Sequence, residues 1–370
     1  MKKHLVLVGG GHAHMVTLSN IHKFIEKGCD VSVIGPSPHH YYSGMGPGML
    51  GKLYEPDDIR FATKHVVEKQ GGLFILGKAV RVNPDARTVY LESGRAVQYD
   101  VLSFNAGSYV SWSNVVCNDG DIFSVKPIEK LLDARNRILS LLSQKKVAIG
   151  IVGGGPAAVE IAGNIHRLAK NHGRHMPEIR IFAGNRFMPR FDEKIRKIAA
   201  NSLTKRGIEI LEHGYAGKIE TGRITMESGL SHDLDVIFLA LGVKPSTIFK
   251  DSGLPIGPDG GLLVNEYLQS TGHPEILGGG DCIYFKDQPL DKVGVYAVRQ
   301  NPVLYHNLMA LMVGGELMPF DPGGDYLLIF NMGDGSGILR KKRLVFGGRI
   351  AFAIKDYIDR KFIKKFQSIE

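Results

Sequence analysis

Two glycine-rich turns constrain the fold of this chain more than any other feature of its sequence. "GGGHAH" at 9–14 follows the apolar run "HLVLV", and "GGGPAA" at 153–158 follows "KKVAIGIV". Each turn opens a segment with helical periodicity, and a second apolar run comes after it, "DVSVI" at 30–34 and "EIRIFAG" at 178–184. A unit of about 30 residues suits a right-handed crossover between parallel strands. The repeat predicts an α/β fold with two Rossmann-like dinucleotide-binding domains of the three-layer ββα type.

The segments around the two units indicate that the second domain is inserted in the first. Short alternating runs such as "KAVRVN" and "TVYLE" are typical of a small antiparallel insert. "DLDVIFLALG" at 233–242 is predicted to be the last strand of the second domain, and "HPEILGGGDCIYF" at 273–285 to return to the first. We expect a discontinuous first domain at 1–120 and 251–325, a second domain at 121–250, and a C-terminal region at 326–370.

The second turn carries the complete pattern of a phosphate-binding turn. Gly153 makes the turn, Gly155 allows a pyrophosphate to approach the backbone, and Ala158 lets the helix pack on the strand. Backbone N–H groups and the positive end of the helix dipole would hold the anion. A purely structural glycine turn is the alternative.

The first turn departs from this pattern at its sixth position, which is His14. Gly9 and Gly11 still allow a phosphate to approach, but we expect His14 to push the helix off the sheet unless its ring finds room. Ala13 would then make the close contact between the helix and the sheet. His12 lies on the first helical turn, where the dipole favours a neutral imidazole that can donate to a phosphate. The alternative is that both histidines are packed or solvated and have no chemical role.

Neither unit has the acidic residue that usually grips a ribose after the second strand. Gly35 stands there in "VSVIGPS", so the adenosine end must be held otherwise, and Ser37 is the candidate. "RIFAGNRF" in the second unit also lacks an acid, and Arg186 stands nearby. An arginine there would tolerate a 2′-phosphate and favour NADPH over NADH. A plain surface role for Arg186 is the alternative.

Composition and cysteine usage predict a globular protein of a reducing compartment. Hydrophobic residues make up 44% and charged residues 22% of the 370 residues, ordinary values for a chain of two domains. The three cysteines form no CxxC pair, which argues against a disulfide framework and a local dithiol centre. No run approaches the roughly 20 apolar residues that span a bilayer, and the apolar part of "MKKHLVLVGGG" is too short for a signal peptide. We expect a cytoplasmic location and no metal site.

The positive charge is concentrated in the last part of the sequence. The formal net charge is +9, and residues 340–370 carry ten Lys or Arg against three acids. The segment 349–366 has the period of a cationic amphipathic helix, with Lys355 among the basic residues away from the stripe. Such a helix either lies on an anionic membrane surface or packs on its own domain. No nucleic-acid-binding motif accompanies the charge. The apolar stripe consists of Ile350, Ile354, Tyr357, Ile358, Ile363 and Phe366.

Three motifs in order carry a family resemblance: the double glycine-turn unit, "NAGS" at 105–108 and "GGGDC" at 278–282. Together they resemble the flavoproteins with two dinucleotide-binding domains, the pyridine nucleotide-disulfide oxidoreductase superfamily. Within it the chain is similar to the branch of type II NADH dehydrogenases and sulfide:quinone oxidoreductases. It most resembles the FAD/NAD(P)-binding flavoproteins associated with selenophosphate synthetase, which share "GGGHAH", "YSGM.PG" and "GVYAVRQ.PVL..NL". The histidines in the first turn and the missing ribose acid are common in that subgroup.

The resemblance implies that the first turn holds FAD and that the second turn faces NAD(P)H. Asp281, an acid at a glycine-rich strand end, would accept a ribityl hydroxyl, and "NAGS" would border the flavin. "YYSGMGPGM" at 41–49 would pass along the isoalloxazine ring, with Gly44, Gly46 and Gly48 allowing the backbone close to the ring, and a generic loop is the alternative. The expected cofactor-binding residues are Gly9, Gly11, His12, Ala13, Gly35, Pro36, Ser37, Ser43, Gly44, Val80, Ala106, Gly107, Gly153, Gly155, Pro156, Ala157, Arg186, Gly242, Gly280 and Asp281.

Four candidate catalytic residues also follow from the resemblance. Glu160 matches a glutamate that lies where nicotinamide meets flavin, where it either tunes proton movement or caps a neighbouring group. Pro47 would stiffen the segment along the flavin. Lys292 and Gln300, with Arg299, match the helix under the pyrimidine end of the flavin, where a donor or a positive dipole stabilises the anionic reduced ring.

The implied activity is FAD-dependent transfer of electrons from NAD(P)H, with NADPH slightly favoured, to a quinone or a similar acceptor. Related quinone reductases dock by their C-terminal ends, which implies a peripheral position on the inner face of the cytoplasmic membrane. One alternative is a flavin-binding accessory protein that contacts selenophosphate synthetase, since both ribose acids are missing. Another is a sulfide- or selenide-oxidising flavoprotein, although Cys117 lies at an unmatched place and Cys282 matches a packed residue.

Overall fold

Two five-stranded parallel sheets form the framework of the molecule, in a computed structural model that describes residues 2–111, 115–116 and 120–370. In both sheets the strand before the glycine turn is central, and the last strand of the first sheet follows the whole second sheet in sequence. The predicted α/β fold with two Rossmann-like domains is confirmed. The first sheet has the order Ile276–Gly278, Val101–Phe104, His4–Val8, Asp30–Gly35 and Leu73–Leu76. The second has the order Ile122–Ser124, Val236–Leu239, Ala148–Val152, Glu178–Phe182 and Glu209–Leu211.

The helix after the first turn is broken, whereas the sequence pattern predicts one helix over 12–27. It consists of a 3₁₀ turn at His12–His14 and short helices at Met15–Leu18 and Ile21–Glu26. At the break, Ser19 Oγ donates to the Met15 carbonyl over 2.7 Å, and Asn20 Nδ2 donates to the Val16 carbonyl over 2.8 Å. Side-chain donors that bind carbonyls four residues back are a known cause of helix bending. The helix after the second turn is continuous over Pro156–His172.

A three-stranded antiparallel meander accompanies each parallel sheet. In the first domain its strands are Ala79–Asn83, Thr88–Leu91 and Ala96–Gln98. In the second domain they are Ala216–Glu220, Arg223–Met226 and Ser231–Asp233, with Val115–Val116 paired to the edge. Each domain therefore repeats one plan, a parallel sheet with helices and a small antiparallel layer.

One strand pair connects the domains, and one long helix completes the first domain. Ser108–Val110 of the first domain pairs antiparallel with Val243–Pro245 after the second sheet. The longest helix, among the described residues, is Gly294–Val313, and it begins at the cavity described below. The other strands are His40–Tyr41 with Arg60–Phe61 and Leu262–Val264 with Ile283–Phe285. The other helices are Ser43–Met45, Gly46–Leu50, Pro56–Asp58, Thr63–Lys69, Glu129–Leu142, Glu193–Thr204, Ile248–Asp251 and Gly280–Cys282.

The C-terminal region is a second small meander followed by a helix. The strands are Leu328–Asn331, Gly337–Lys341 and Leu344–Gly348, and the helix is Arg349–Gln367. This C-terminal helix buries Ile363 and Phe366 against the first domain.

The apolar stripe predicted for the C-terminal helix is therefore divided between two environments. Ile350, Tyr357 and Ile358 remain exposed, at 71%, 65% and 41% of their surface. Lys355, expected on the solvated side, is buried, because Asp359 one helical turn later neutralises it. No helix in the described part of the chain is long and apolar enough to cross a bilayer.

Candidate active site

A cavity of about 1590 Å³ lies where both glycine turns open, and both parallel sheets contribute strand ends to it. The C-terminal region supplies a third wall, which includes Leu328, Ile329 and Phe330. Most residues predicted from the sequence meet at this cavity. They are Gly9, Gly11, His12, Gly35, Pro36, Ser37, Ser43, Gly44, Pro47, Ala106, Gly107, Gly153, Gly155, Pro156, Ala157, Glu160, Arg186, Gly242, Gly280, Asp281 and Lys292.

Three predicted residues lie behind the lining. Ala13 packs against Gly279, and a Cβ added to Gly279 would lie 2.8 Å from the Ala13 Cβ. Ala13 therefore makes a close contact, as expected. Val80 lies in the meander, and its neighbour Ala79 reaches the cavity instead. Gln300 is fully buried, and its Oε1 accepts the Gly280 N–H over 2.6 Å. Gln300 thus supports the loop before Asp281 from behind the cavity lining.

Asn105 holds the first turn in place. An added Cβ on Gly9 would lie 2.3 Å from the Asn105 carbonyl oxygen, and one on Gly11 would lie 2.2 Å from Asn105 Oδ1. Oδ1 accepts the Ala13 N–H over 3.1 Å, and Nδ2 donates to the Gly279 carbonyl over 2.7 Å. The Asn105 side chain therefore joins all three motifs of the first domain, and the close approach of its residue, by the main-chain carbonyl at Gly9 and by the side chain at Gly11, requires both glycines.

His14 fits inside the contact between the first sheet and the helix. Its Nδ1 lies 2.6 Å from the Gly9 carbonyl oxygen and its Nε2 lies 2.8 Å from Ser103 Oγ. A carbonyl only accepts, so Nδ1 donates and Nε2 accepts from the hydroxyl. Burial lowers the pKa of His14 to about 4, which keeps the ring neutral. The expected displacement of the helix does not occur, because the ring finds two partners within the core.

His12 lies between the cavity and a cluster of aromatic rings. Its ring centroid is 5.0 Å from that of Tyr42 and 5.6 Å from that of Phe362 of the C-terminal helix. His40 lies beside it, with 5.2 Å between the ring centroids. Burial lowers the pKa of His12 to about 4 and that of His40 to about 3, so both are neutral. The Nε2 atoms of both rings are buried and have no hydrogen-bond partner within the described ranges.

Asp281 is held by two partners from different parts of the fold. Its Oδ2 accepts from Lys126 Nζ over 2.7 Å and from Ser108 Oγ over 2.8 Å. Burial alone would raise the pKa of Asp281, but Lys126, Ser108 and Lys292 together outweigh it, with Lys126 contributing most, and lower the pKa below its usual range. The carboxylate is therefore ionised at neutral pH.

Lys292 has its charge satisfied away from the cavity centre. Its Nζ donates to the Ile283 carbonyl and forms an ion pair with Asp259 Oδ2 over 2.7 Å. Arg299 likewise donates to the carbonyls of Pro322 and Gly324. Lys292 and Gly294, at the start of the helix, both line the cavity, and the donor role predicted for this segment stays a prediction.

The segment expected to pass along the flavin is largely helical, so the alternative of a generic loop is wrong. It forms a 3₁₀ turn at Ser43–Met45 and a helix at Gly46–Leu50, with Pro47 in its first turn, a position that favours proline. Gly44 and Pro47 line the cavity. Gly48 does not, because it faces the Tyr54 ring, 2.5 Å from where its Cβ would stand. Packing against the Tyr54 ring therefore requires a glycine at position 48.

The second turn has the geometry that its sequence predicts. Gly153 has a φ of +130°, and an added Cβ would lie 2.2 Å from the Ala240 carbonyl oxygen. An added Cβ on Gly155 would meet nothing within 4 Å, so this glycine faces open space in the cavity. Arg186 and Arg190 are exposed and line the cavity near the end of the second strand.

Glu160 joins the second turn to the C-terminal region. It is partly buried, its Oε1 accepts the Asn331 N–H over 2.7 Å, and loss of solvent around the carboxyl raises its pKa. Lys355 of the C-terminal helix is near enough to oppose that rise, and its Nζ donates to the Gly44 carbonyl over 2.9 Å and to Asp359 Oδ2 over 2.8 Å. The carboxylates of Asp359 and Glu160 outweigh the effect of burial and raise the pKa of Lys355. Glu160 thus both caps a main-chain group and faces the cavity.

Sequence reasoning missed three residues of this site. Asn105 was part of a quoted motif but received no role, and Lys126 lies in a segment without a motif. Lys355 was assigned to the wrong side of its helix. The spacing of Lys355 and Asp359, four residues apart, was the signal that could have revealed an internal ion pair.

The residues present fit FAD at the first turn. The N–H groups of Gly10 and Gly11 have no protein acceptor in the described part of the chain, so they are free to meet a pyrophosphate at the start of the first helix. Asp281 at the same cavity is ionised, and His12 has a buried ring nitrogen without a hydrogen-bond partner among the described residues. Unpaired buried polar atoms cost free energy, which suits a site completed by a bound group.

Sequence comparison finds relatives along most of the chain. The family model described as pyridine nucleotide-disulphide oxidoreductase matches residues 3–308. The nitrite reductase [NAD(P)H] of Bacillus subtilis is 25% identical over 76% of this chain, which spans only 34% of that protein. The NADH oxidase of Methanocaldococcus jannaschii is 27% identical over 82% of this chain and 69% of its own length.

Solved structures of low sequence identity share the fold. The sulfide:quinone oxidoreductase of Aquifex aeolicus superposes with a TM-score of 0.79 at 17% identity, covering 100% of this chain and 92% of its own. NDH2 of Plasmodium falciparum, determined in complex with NADH, gives a TM-score of 0.82 at 15% identity over 99% and 98%. The matched family model covers most of the chain and both glycine turns, and the chain therefore belongs to the pyridine nucleotide-disulphide oxidoreductase family of NAD(P)H-dependent flavoproteins.

Proposed function

We propose that this protein is an FAD-dependent NAD(P)H dehydrogenase that passes electrons to a quinone or a similar two-electron acceptor. The observation that carries the proposal is that both glycine turns open onto one cavity, whose third wall is an apolar C-terminal segment. Bound FAD would supply the redox chemistry, accepting hydride equivalents from the nicotinamide and passing electrons onward. The chain binds and orients both nucleotides and excludes water around them.

The acceptor side of the proposal rests on the third wall. Leu328, Ile329 and Phe330 provide an apolar surface for a ring such as that of a quinone, and Glu160 and Lys355 lie at the same cavity. A two-electron reduction of a quinone also takes up two protons. Burial favours the neutral form of Glu160, and a carboxyl that is protonated near neutral pH can donate one of these protons.

Membrane association is the second part of the proposal. Ile350, Tyr357 and Ile358 form an exposed apolar face on the C-terminal helix, and Arg349 and Lys361 are exposed on the same helix. A helix with this composition binds anionic lipid surfaces. Docking there would bring the C-terminal wall of the cavity near the membrane, where quinones dissolve.

The nicotinamide cofactor is proposed to be NADPH in preference to NADH. Arg186 and Arg190 both line the cavity where the ribose acid is missing, and guanidinium groups bind a 2′-phosphate well. Arg186→Ala should lower kcat/KM for NADPH by about tenfold and change it little for NADH. Equal losses for the two cofactors would contradict this preference.

Anaerobic titration of the purified protein with NADH, NADPH and sulfide in turn tests the proposed function. We expect a yellow protein whose flavin absorbance is bleached by NADPH and restored by a water-soluble quinone. A colourless preparation that takes up no added FAD would refute the proposal. Bleaching by sulfide alone would favour a sulfide- or selenide-oxidising flavoprotein.

An accessory protein for selenophosphate synthetase is the second candidate. The observation that favours it is the absence of an acid after the second strand of both domains, at Gly35 and around Ala183, which would weaken nucleotide binding. Intact bound FAD that neither NADH nor NADPH reduces in stopped flow would support it. Sulfide oxidation finds less support, since Cys29 and Cys282 are buried free thiols and burial raises the pKa of Cys282 to about 11. Cys117 lies outside the described residues.

A further inference from the structure

Lys126 reaches the cofactor site of the first domain from the second domain. It follows the edge strand Ile122–Ser124 of the second sheet, whereas Asp281 and Ser108 belong to the first domain. Lys126 Nζ donates to Asp281 Oδ2 over 2.7 Å and to Ser108 Oγ over 2.9 Å. All three residues line the cavity, and the ion pair is largely buried, with 25% of the Lys126 side chain and 15% of the Asp281 side chain exposed.

The two oxygens of Asp281 have different surroundings. Oδ2 accepts both hydrogen bonds from the protein. Oδ1 accepts none from the residues that the structure describes. A carboxylate oxygen has lone pairs to spare, and one of its oxygens can be held by protein donors while the other binds a ligand hydroxyl. The arrangement therefore orients the carboxylate and leaves its second oxygen available at the cavity.

We propose that Lys126 and Ser108 are positioning residues for FAD, which clamp Oδ2 of Asp281 so that Oδ1 accepts a hydroxyl of the cofactor's sugar-alcohol chain. This inference rests on the proposed binding of FAD at the first turn. Because Lys126 comes from the second domain, the FAD site is complete only when both domains are docked. Cofactor affinity thereby depends on the contact between the domains.

The groups around Asp281 leave Lys126 as the cation that pairs with it. Lys292 also favours the ionised form of Asp281, but it forms its own ion pair with Asp259. His12 and Cys282 feel the charge of Asp281, and burial keeps both neutral near pH 7. Removing Lys126 takes away the main effect that opposes burial and leaves only Ser108 and Lys292, so the pKa of the Asp281 carboxyl would rise, and a protonated carboxyl is a weaker acceptor for a hydroxyl.

Titration of FAD into the apoprotein, followed by quenching of flavin fluorescence between about pH 5.5 and 8.5, tests this role. We expect wild-type affinity to change little over that range. Lys126→Met should weaken binding at pH 7 by about tenfold or more, and the variant should recover affinity as the pH rises and Asp281 ionises. Lys126→Arg should restore most of the affinity, because a guanidinium also pairs with a carboxylate. Ser108→Ala, which removes one neutral donor, should weaken binding by a few-fold without a pH dependence.

Lys244→Met is the matched control, since Lys244 also lines the cavity but is exposed and forms no ion pair within the described ranges. It should bind FAD as the wild type does. Wild-type affinity in Lys126→Met, with no pH dependence, would overturn the inference while leaving the proposed function intact. If Lys126→Met does not fold, Lys126→Arg and Ser108→Ala provide the test. The inference would then be overturned if Ser108→Ala binds FAD as the wild type does and Lys126→Arg does not retain the wild-type affinity. A wild-type protein that binds no FAD would instead refute the proposed function itself.

Discussion

The main-chain N–H of Asn331 donates to Oε1 of Glu160 over 2.7 Å. This bond joins the first strand of the C-terminal meander to the helix after the second glycine turn. It also fixes a partly buried carboxyl group at the point where the proposed nicotinamide side and the apolar third wall meet. An acid in this position can affect the two half-reactions differently, namely reduction of the flavin by NAD(P)H and its reoxidation by the acceptor.

Glu160→Gln separates these two halves. The glutamine amide oxygen can still accept the Asn331 N–H, so the fold should be retained, but the side chain can no longer donate an acidic proton. We expect flavin reduction by NAD(P)H to be nearly unchanged, and reoxidation by a quinone to slow by about 100-fold. Stopped-flow measurement of the two half-reactions checks this.

The pH dependence supplies a second readout for Glu160. Because burial raises its pKa, wild-type reoxidation should slow as the pH rises through that pKa and the proton is lost, whereas Glu160→Gln should show no such decline. Glu129→Gln is the control, since that carboxylate also lines the cavity. Equal losses in both half-reactions of Glu160→Gln would contradict a proton-donor role.

Gly155 and Gly153 should respond to alanine in opposite ways. Gly155→Ala adds a Cβ where nothing lies within 4 Å, so thermal stability and FAD content should be unchanged. The same methyl group would occupy the approach of the pyrophosphate, and we expect the KM for NAD(P)H to rise by about tenfold or more. Gly153→Ala must instead fold poorly, since its Cβ would overlap the Ala240 carbonyl at a φ of +130°.

Steady-state kinetics and thermal melts distinguish these two glycine effects. Gly324→Ala, at another glycine with open space around it, is the control and should leave the KM for NAD(P)H unchanged. An unchanged KM in Gly155→Ala would show that this turn does not hold the nucleotide.

The position of Asp281 could be predicted because parallel strands end at a common edge of a sheet. The strand Ile276–Gly278 lies beside Val101–Phe104, so "GGGDC" and "NAGS" follow neighbouring strands and must meet beside the first turn. Periodicity and turn chemistry thus placed the two glycine turns, and the family resemblance supplied most of the remaining cavity lining. They could not describe the helix at Gly46–Leu50, whose glycines are typical of a loop but pack against Ile128 and Tyr54.

The contributions of Lys126 and Lys355 depend on how distant parts of the chain dock. Lys126 reaches Asp281 only because the second domain sits against the first, and no local pattern encodes that orientation. Lys355 lies in a helix whose periodicity is compatible with either of two buried faces. The choice is made by Asp359, which pairs with Lys355 and accepts from Tyr42 Oη over 3.0 Å.

Three buried histidines should make the stability of the fold fall under mildly acidic conditions. The pKa of His12 and that of His14 are lowered to about 4 and that of His40 to about 3, from 6.5. Below pH 6.5 the unfolded chain binds protons that the folded chain does not, so the free energy of unfolding falls as the pH drops from about 6.5 towards 4. Each imidazole contributes a slope of at most about 1.4 kcal/mol per pH unit.

Urea unfolding between about pH 4.5 and 7.5 measures this slope. His14→Gln removes one of the three imidazoles at a position that does not line the cavity, so its slope should be lower by about one imidazole's share. The variant will also be less stable at every pH, because two internal hydrogen bonds are lost. His22→Gln is the control at an exposed histidine and should keep the wild-type slope. An unchanged slope in His14→Gln would contradict the neutral, buried state of its ring.

The exposed face of the C-terminal helix should determine whether the protein binds membranes. Ile350, Tyr357 and Ile358 can be replaced together by serine without touching the buried side of the helix. We expect the wild type to sediment with vesicles of phosphatidylglycerol and phosphatidylcholine, more weakly in high salt, and the triple variant to bind them at least about tenfold less tightly. Leu73→Ser with Leu76→Ser, which removes two exposed apolar side chains elsewhere, should bind as the wild type does. Electron transfer to a water-soluble quinone should be equal in all three proteins, which shows that the substitutions leave the active site intact. A triple variant that binds vesicles as tightly as the wild type would contradict docking by the C-terminal helix.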